Sequence, residues 1–153
     1  MPVPNVEELE RQFNAAMEEA DTGSTMEAMR QVYGELGSDD AEVVAAILHP
    51  KFELEIEATF ISGKSYKGAK GFAAWGKEMA GLFEESRFQP VGVRSAGADR
   101  WVVLGRLHVV EADGGDELDL PLAHVLEQRD RKVARIAVYS EVSVALESVG
   151  IYF

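Results

Sequence analysis

Residues 52–60 alternate without interruption: Phe52, Leu54, Ile56, Ala58 and Phe60 against Glu53, Glu55, Glu57 and Thr59. A period of two over nine residues predicts a strand with one buried and one wet face. The chain before it reads with the helical period. Asn5 can cap a first helix, with Glu8 completing a capping box and Val6, Leu9, Phe13, Ala16 and Met17 on one stripe. Ser24 and Glu27 repeat the box for a second helix, striped by Met26, Met29, Val32, Tyr33 and Leu36. Asp39 and Glu42 open a short third helix, which Pro50 closes by disfavouring helical geometry at His49. After a turn at Ser62–Ser65, Phe72, Trp75, Met79 and Phe83 mark one side of a fourth helix, interrupted by Gly71, Gly76 and Gly81. From Gln89 onward the pattern predicts four strands, 89–96, 100–112, 117–128 and 132–140, and then a last helix over 142–149. Helices followed by a run of antiparallel strands predict an α+β domain.

Two of these strands carry polar residues where a core strand should not. Arg106 and His108 interrupt the apolar run 102–110, and His124 interrupts 118–126. Buried polar groups cost free energy unless paired, so a cluster of them on an apolar face points to a pocket. If even-numbered positions of both strands share a face, Arg106, His108 and His124 meet Leu104, Leu120 and Leu122 there. The turn between the strands decides this. A two-residue loop at Gly114-Gly115 pairs odd with even positions and separates Arg106 from His124, whereas a three-residue loop with a glycine bulge pairs the two directly. Arg106 also has Glu117, Asp119 and Glu127 as possible partners, and His49 beside Pro50 reads as a structural residue.

The 153 residues suffice for one domain with a hydrophobic core. The chain has no cysteine, which removes disulfides, thiol catalysis and cysteine metal sites. Three dispersed histidines give no ligand spacing, so no metal and no cofactor are expected. The net charge of −12 sits almost wholly in residues 1–60, where 14 acidic residues face 3 basic ones. Such a surface repels phosphates and predicts neither nucleic acid nor anionic membrane as partner. The acidic N-terminus lacks an apolar signal core and no apolar stretch approaches a membrane span, so a cytoplasmic protein is expected. The tail Ile151-Tyr152-Phe153 is apolar and is expected to dock.

Several segments carry a family resemblance. Tyr33-Gly34-Glu35-Leu36-Gly37-Ser38-Asp39-Asp40, followed by Ile47-Leu48-His49-Pro50-Lys51-Phe52-Glu53, resembles the nuclear transport factor 2-like superfamily, most closely its SnoaL-like branch. Tyr66–Phe72, Ala123-His124-Val125, Arg129–Val133 and Ala145–Ile151 are similar to further family patterns in the same order. The resemblance covers residues 26–151 of a single domain spanning 1–153, and makes 1–23 an added N-terminal helix. It implies a cone: a strongly curved antiparallel sheet wrapped around the helices, with an apolar cavity between them. It also implies a homodimer through the outer sheet face. In this chain the implied cavity wall is Ile56, Trp75, Met79, Leu104, Leu120, Leu122, Ile136 and Val138.

The resemblance also sorts the chemistry. Steroid isomerases of this fold use a first-strand carboxylate base and an oxyanion hole. Here Tyr33 and His124 fall near the oxyanion positions, but the base position falls on Ile56. Limonene epoxide hydrolase uses Arg-x-Asp on one strand and a second Asp on the last. Here those positions read Arg106-Leu107-His108 and Val138, so two carboxylates are lost. SnoaL-type cyclases need only one acid–base side chain in an apolar cavity. His108 or His124 could serve with a pKa near 7, while Arg106 holds a developing enolate. The resulting expectation is a small-molecule-binding protein that could work as an acid–base enzyme of cyclase, isomerase or dehydratase type on an apolar carbonyl or polyketide-like compound. Its candidate catalytic residues are His124, His108, Arg106 and Tyr33. The alternative is a non-catalytic homodimeric binding or interaction module whose cavity is filled by side chains.

Overall fold

The computed structural model describes residues 5–57 and 64–152. Its elements run α1 (Val6–Met17), α2 (Ser24–Leu36), α3 (Ala41–Ile47), β1 (Leu48–Glu57), β2 (Lys64–Lys67), α4 (Gly68–Leu82), β3 (Phe83–Ser95), β4 (Arg100–Glu111), β5 (Glu117–Arg129), β6 (Lys132–Tyr139) and α5 (Val142–Ser148), with a single 3-10 turn between β4 and β5. The six strands form one open sheet in the order β2-β1-β6-β5-β4-β3. Every neighbouring pair is antiparallel except β1 and β6, which run parallel. The wholly antiparallel sheet expected from the resemblance is therefore corrected at that one pair.

Local chemistry explains most helix ends. Asn5 caps α1 by accepting the N–H of Glu7, and Asp40 caps α3 by accepting that of Glu42. The box expected at Ser24 does not form. Gly23 is the cap there, without a side-chain bond, and its own N–H is held by Asp21 Oδ1. Pro50 does not merely end a helix. It lies inside β1, which begins at Leu48, and His49 Nδ1 accepts the N–H of Lys51. Strand β3 begins six residues earlier than the pattern predicts, at Phe83. Residues 58–60 of the alternating strand and Phe153 of the tail lie outside the described residues.

The sheet has an apolar layer on each face. The inner layer joins Met26, Phe52, Leu54, Ile56, Val103, Leu122, Ile136 and Val138, with Tyr33, Phe72, Trp75 and Leu107 packed against it. The outer layer joins Phe13 and Ala16 of α1 to Val102, Leu104, Ala123, Val125, Ala137 and Tyr139 of the sheet and to Val142, Ala145 and Leu146 of α5. Buried Gln12 links the two helices, its Oε1 accepting from the Ser143 N–H and hydroxyl. The face expected to meet a second copy is thus covered across β4–β6 by the chain's own α1 and α5. Ile151 docks on this layer, its N–H bonded to the Leu146 carbonyl, while Tyr152 is exposed.

Register breaks bend the sheet. One falls between Pro90 and Gly92 on β3, where Val91 is the extra residue; others interrupt β1 and, at Ala134, β6. Gly92 lies under Met17, and a Cβ there would come within 2.7 Å of its sulfur. No helix of the described residues is long and apolar enough to cross a membrane.

Candidate functional site

The register between β4 and β5 decides what can meet what. Val103 lies opposite His124, Gly105 opposite Leu122, Arg106 opposite Pro121 and His108 opposite Asp119. Odd positions of β4 therefore share a face with even positions of β5. Six residues, 111–116, separate the last facing pair, Val110 and Glu117, and impose this parity. The connection is closed by a hydrogen bond from the Glu111 N–H to the Asp116 carbonyl, and it turns through left-handed Asp113 and Gly114. The expected shared face of Arg106, His108 and His124 does not form.

Arg106 and His108 lie on the outer face. The Arg106 guanidinium binds both Glu10 carboxylate oxygens of α1, at 2.6 and 3.0 Å, and Asp119 at 2.5 Å. Its central carbon sits 5.5 Å from the Phe13 ring centroid. Accepting from Arg106 lowers the Glu10 pKa, and donating to Glu10 and Asp119 raises that of Arg106. His108 Nε2 is 3.1 Å from Glu117. Leu104 belongs to the outer layer, and Leu120, though inward by register, is not part of the cavity wall. Arg106, His108 and Leu104 leave the candidate site because the parity of β4 is opposite to the one expected, while Leu120 keeps its inward parity but does not line the cavity.

His124 and Tyr33 do meet. The Tyr33 hydroxyl on α2 lies 2.7 Å from His124 Nδ1 on β5. The Phe88 ring of β3 stacks on the imidazole with centroids 4.0 Å apart and planes at 17°. Tyr33 also touches Phe88, at 5.3 Å between ring centroids. Phe88 fits because Gly105 faces it. A Cβ on Gly105 would come within 2.5 Å of the Phe88 ring and of the Gln89 carbonyl oxygen. Burial lowers the His124 pKa to about 3 and raises that of Tyr33. The imidazole is therefore neutral at physiological pH, and the pKa near 7 expected for an acid–base histidine is corrected downward by desolvation. Where the phenol is the donor to Nδ1, the ring proton sits on Nε2. Nε2 has no hydrogen-bond partner among the described residues, yet it is not sealed from the cavity beside it.

That cavity has a volume of about 660 Å³. Its deep end is made of Leu36, Leu54, Ile56, Leu122, Ile136 and Val138 around His124. Phe72, Trp75 and Met79 of α4 form the opposite wall, and exposed Gly37, Gly76, Ala80, Glu84, Ser86 and Arg87 mark the mouth. Of the expected wall, Ile56, Trp75, Met79, Leu122, Ile136 and Val138 line it. The core is not packed solid between α4 and the sheet, as the filled-cavity alternative requires. Glu84 is the one carboxylate among the lining residues. It was not legible because Phe83–Phe88 reads Phe-Glu-Glu-Ser-Arg-Phe, too polar to mark as the start of a strand.

The family described as SnoaL-like domain matches residues 29–136. No protein of curated function matches. Among solved structures, the chain is similar to TerC co-crystallized with polyporic acid, with 22% identity, 81% of this chain and 95% of that chain covered, and a TM-score of 0.64. It is similar to a nuclear transport factor 2-like protein of unknown function from Burkholderia pseudomallei, with 19% identity, coverage of 82% and 96%, and a TM-score of 0.64. A Jannaschia protein described as a candidate SnoaL-like polyketide cyclase matches at 16% identity, with coverage of 86% and 96% and a TM-score of 0.62. At these identities the likeness is one of fold. Helix α1 precedes the matched family region.

Proposed function

The chain belongs to the family of SnoaL-like domains, and from that premise we propose that it binds a small, mainly apolar ring compound carrying a carbonyl oxygen. One observation carries this reading: a neutral imidazole, its Nε2 without a hydrogen-bond partner among the described residues, in the apolar deep end of the cavity. The volume of about 660 Å³ is of ligand size. The aromatic wall of Phe72, Trp75 and Phe88 favours a flat ligand. With the phenol as donor to Nδ1, His124 presents its Nε2–H to the cavity, and a carbonyl is the complementary group. TerC, of the same fold, was crystallised with polyporic acid.

Chemistry of the isomerase or cyclase type follows if that carbonyl has an acidic C–H beside it. Glu84 would take the proton while the C–H electron pair moves into the carbonyl, forming an enolate oxygen that the His124 Nε2–H stabilises. Returning the proton to another carbon completes an isomerisation and restores Glu84. With its low pKa His124 is a poor base and a suitable neutral donor, which assigns the two roles to different residues.

The test compares a ketone with its deoxygenated counterpart. Binding of 1-acetonaphthone and 1-ethylnaphthalene is followed by Trp75 fluorescence, with Trp75→Phe as the control for signal origin. The expected result is a preference of about tenfold for the ketone, as for one neutral hydrogen bond in a desolvated site, abolished in His124→Phe. Equal binding of the two compounds, or binding of neither, overturns the reading.

A further inference from the structure

We propose that Phe88 is a specificity-determining residue: it ends the cavity beside His124 and limits the group a ligand can carry on the far side of its carbonyl. This deepens the reading above and rests on it. Outside the cavity lies a separate groove of about 430 Å³, lined by Arg30, Gly34, Gln89 and Pro90. Groove and cavity have Tyr33, Arg87 and Phe88 in common. The β3–β4 register sets Arg87 opposite His108 on the outer face, so the rings of Tyr33 and Phe88 are what stands between the two spaces.

Those rings close the gap by contact. Their centroids are 5.3 Å apart with planes at 49°. Both side chains are half-buried, as a wall with open space on each side requires. Phe88 is held there by its stack on the imidazole, with centroids 4.0 Å apart. Gly105 supplies the room, since a Cβ there would meet the ring at 2.5 Å.

Around His124 the other directions are taken. Tyr33 occupies Nδ1, Phe88 covers one face of the ring, and Val103 of β4 and Val138 of β6 flank it across the sheet. A ketone bound at Nε2 with its rings against Phe72 and Trp75 therefore turns its second substituent toward Tyr33 and Phe88. A methyl group fits such a place and a second ring does not, because packed aromatic side chains leave no void to receive it. Of the two rings, Phe88 is the one that can be truncated without unpairing a polar group, since Tyr33 is bonded to His124. Its loss opens the cavity into the groove. The ligand class is an aromatic or polycyclic compound with its carbonyl at one end.

Two neutral probes test this, 1-acetonaphthone and 1-benzoylnaphthalene, which differ only in the methyl or phenyl group on the carbonyl. The full chain is titrated with each by calorimetry, as wild type, Phe88→Leu and Phe88→Ala. Wild type is expected to bind the methyl ketone about tenfold more tightly, the discrimination that a close-fitting apolar wall gives. Phe88→Ala should invert the ratio, because the phenyl group can pass into the groove, and Phe88→Leu should fall between. Phe88→Leu keeps a core-sized side chain and decides the matter should Phe88→Ala fail to fold. A variant merely loosened loses affinity for both ketones in step and keeps the wild-type ratio. An unchanged ratio in the folded variants overturns the proposal and leaves the carbonyl reading standing. So does a wild type that binds the phenyl ketone as tightly as the methyl ketone, or more so. Binding of neither ketone to wild type overturns both.

Discussion

The Tyr33 hydroxyl and His124 Nδ1 are 2.7 Å apart, although 91 residues separate them in sequence. The contact ties α2 to the middle of β5 and couples the phenol to the imidazole tautomer. Tyr33→Phe removes the phenol and leaves Nδ1 without a partner in a buried place. Losing a partner in this way costs about 1–3 kcal/mol. The variant is expected to unfold at lower urea, with its imidazole nitrogen resonances shifted as the tautomer redistributes. Unchanged nitrogen shifts would remove the phenol from the tautomer argument.

The low pKa of His124 makes a second expectation, about pH. In the folded protein it titrates near 3, against 6.5 for a free histidine. Between those values the unfolded chain binds a proton that the folded chain refuses, so stability rises with pH across the window and is lost as pH falls from about 6.5 toward 3. Glu10 and Glu55, whose pKa values are lowered by arginine hydrogen bonds, add a further loss below about 4.5. The two contributions separate above pH 5. Urea midpoints at pH 7, 6 and 5 should fall more steeply for wild type than for His124→Phe. Parallel slopes would show that the imidazole protonates freely in the folded state.

Much of this arrangement was legible in the sequence, and the failures share one cause. Alternation placed Leu54 and Ile56 on the inner face of β1, and helical stripes placed Tyr33, Trp75 and Met79 facing inward, because each pattern is internal to one element. The grouping of Arg106 and His108 with His124 needed a relation between two elements. That relation hung on whether the β4–β5 connection held an odd or even number of residues. Asp113-Gly114-Gly115-Asp116 allows both, because glycine accepts either hand of backbone. A single step of register turns every side chain to the opposite face. Glu84 was hidden differently: the first residues of β3 lie at an exposed sheet edge, where no apolar alternation is required. The parallel pairing of β1 with β6 leaves no local trace at all.

The outer placement of Arg106 gives a third expectation. Arg106→Met breaks the contacts to Glu10 and Asp119, which are partly exposed, so the loss should be about 1 kcal/mol and should shrink in high salt. Ligand-probe affinity should not change, because no part of Arg106 lines the cavity. A loss of probe binding without loss of stability, read from parallel titrations and urea curves, would return Arg106 to the site.

Two glycines make the last and sharpest contrast. Gly81 lies inside α4, and a Cβ there meets no atom within 4 Å. Gly81→Ala should therefore stabilise the protein by about 0.5–1 kcal/mol through helix propensity and a less free unfolded chain. Gly105 lies inside β4, where the same methyl group would overlap the Phe88 ring and the Gln89 carbonyl oxygen at 2.5 Å. The Gln89 oxygen is backbone of the paired strand and cannot yield cheaply, so the Phe88 ring must move and the strands must part. Overpacking of this kind costs about 1–3 kcal/mol. It should also disturb the Phe88–His124 stack, so Gly105→Ala should weaken neutral-probe binding as well as lower the urea midpoint. Gly81→Ala should raise the midpoint and leave binding alone. If Gly105→Ala destabilised the fold while binding stayed intact, Phe88 would be a packing residue and not part of the ligand wall.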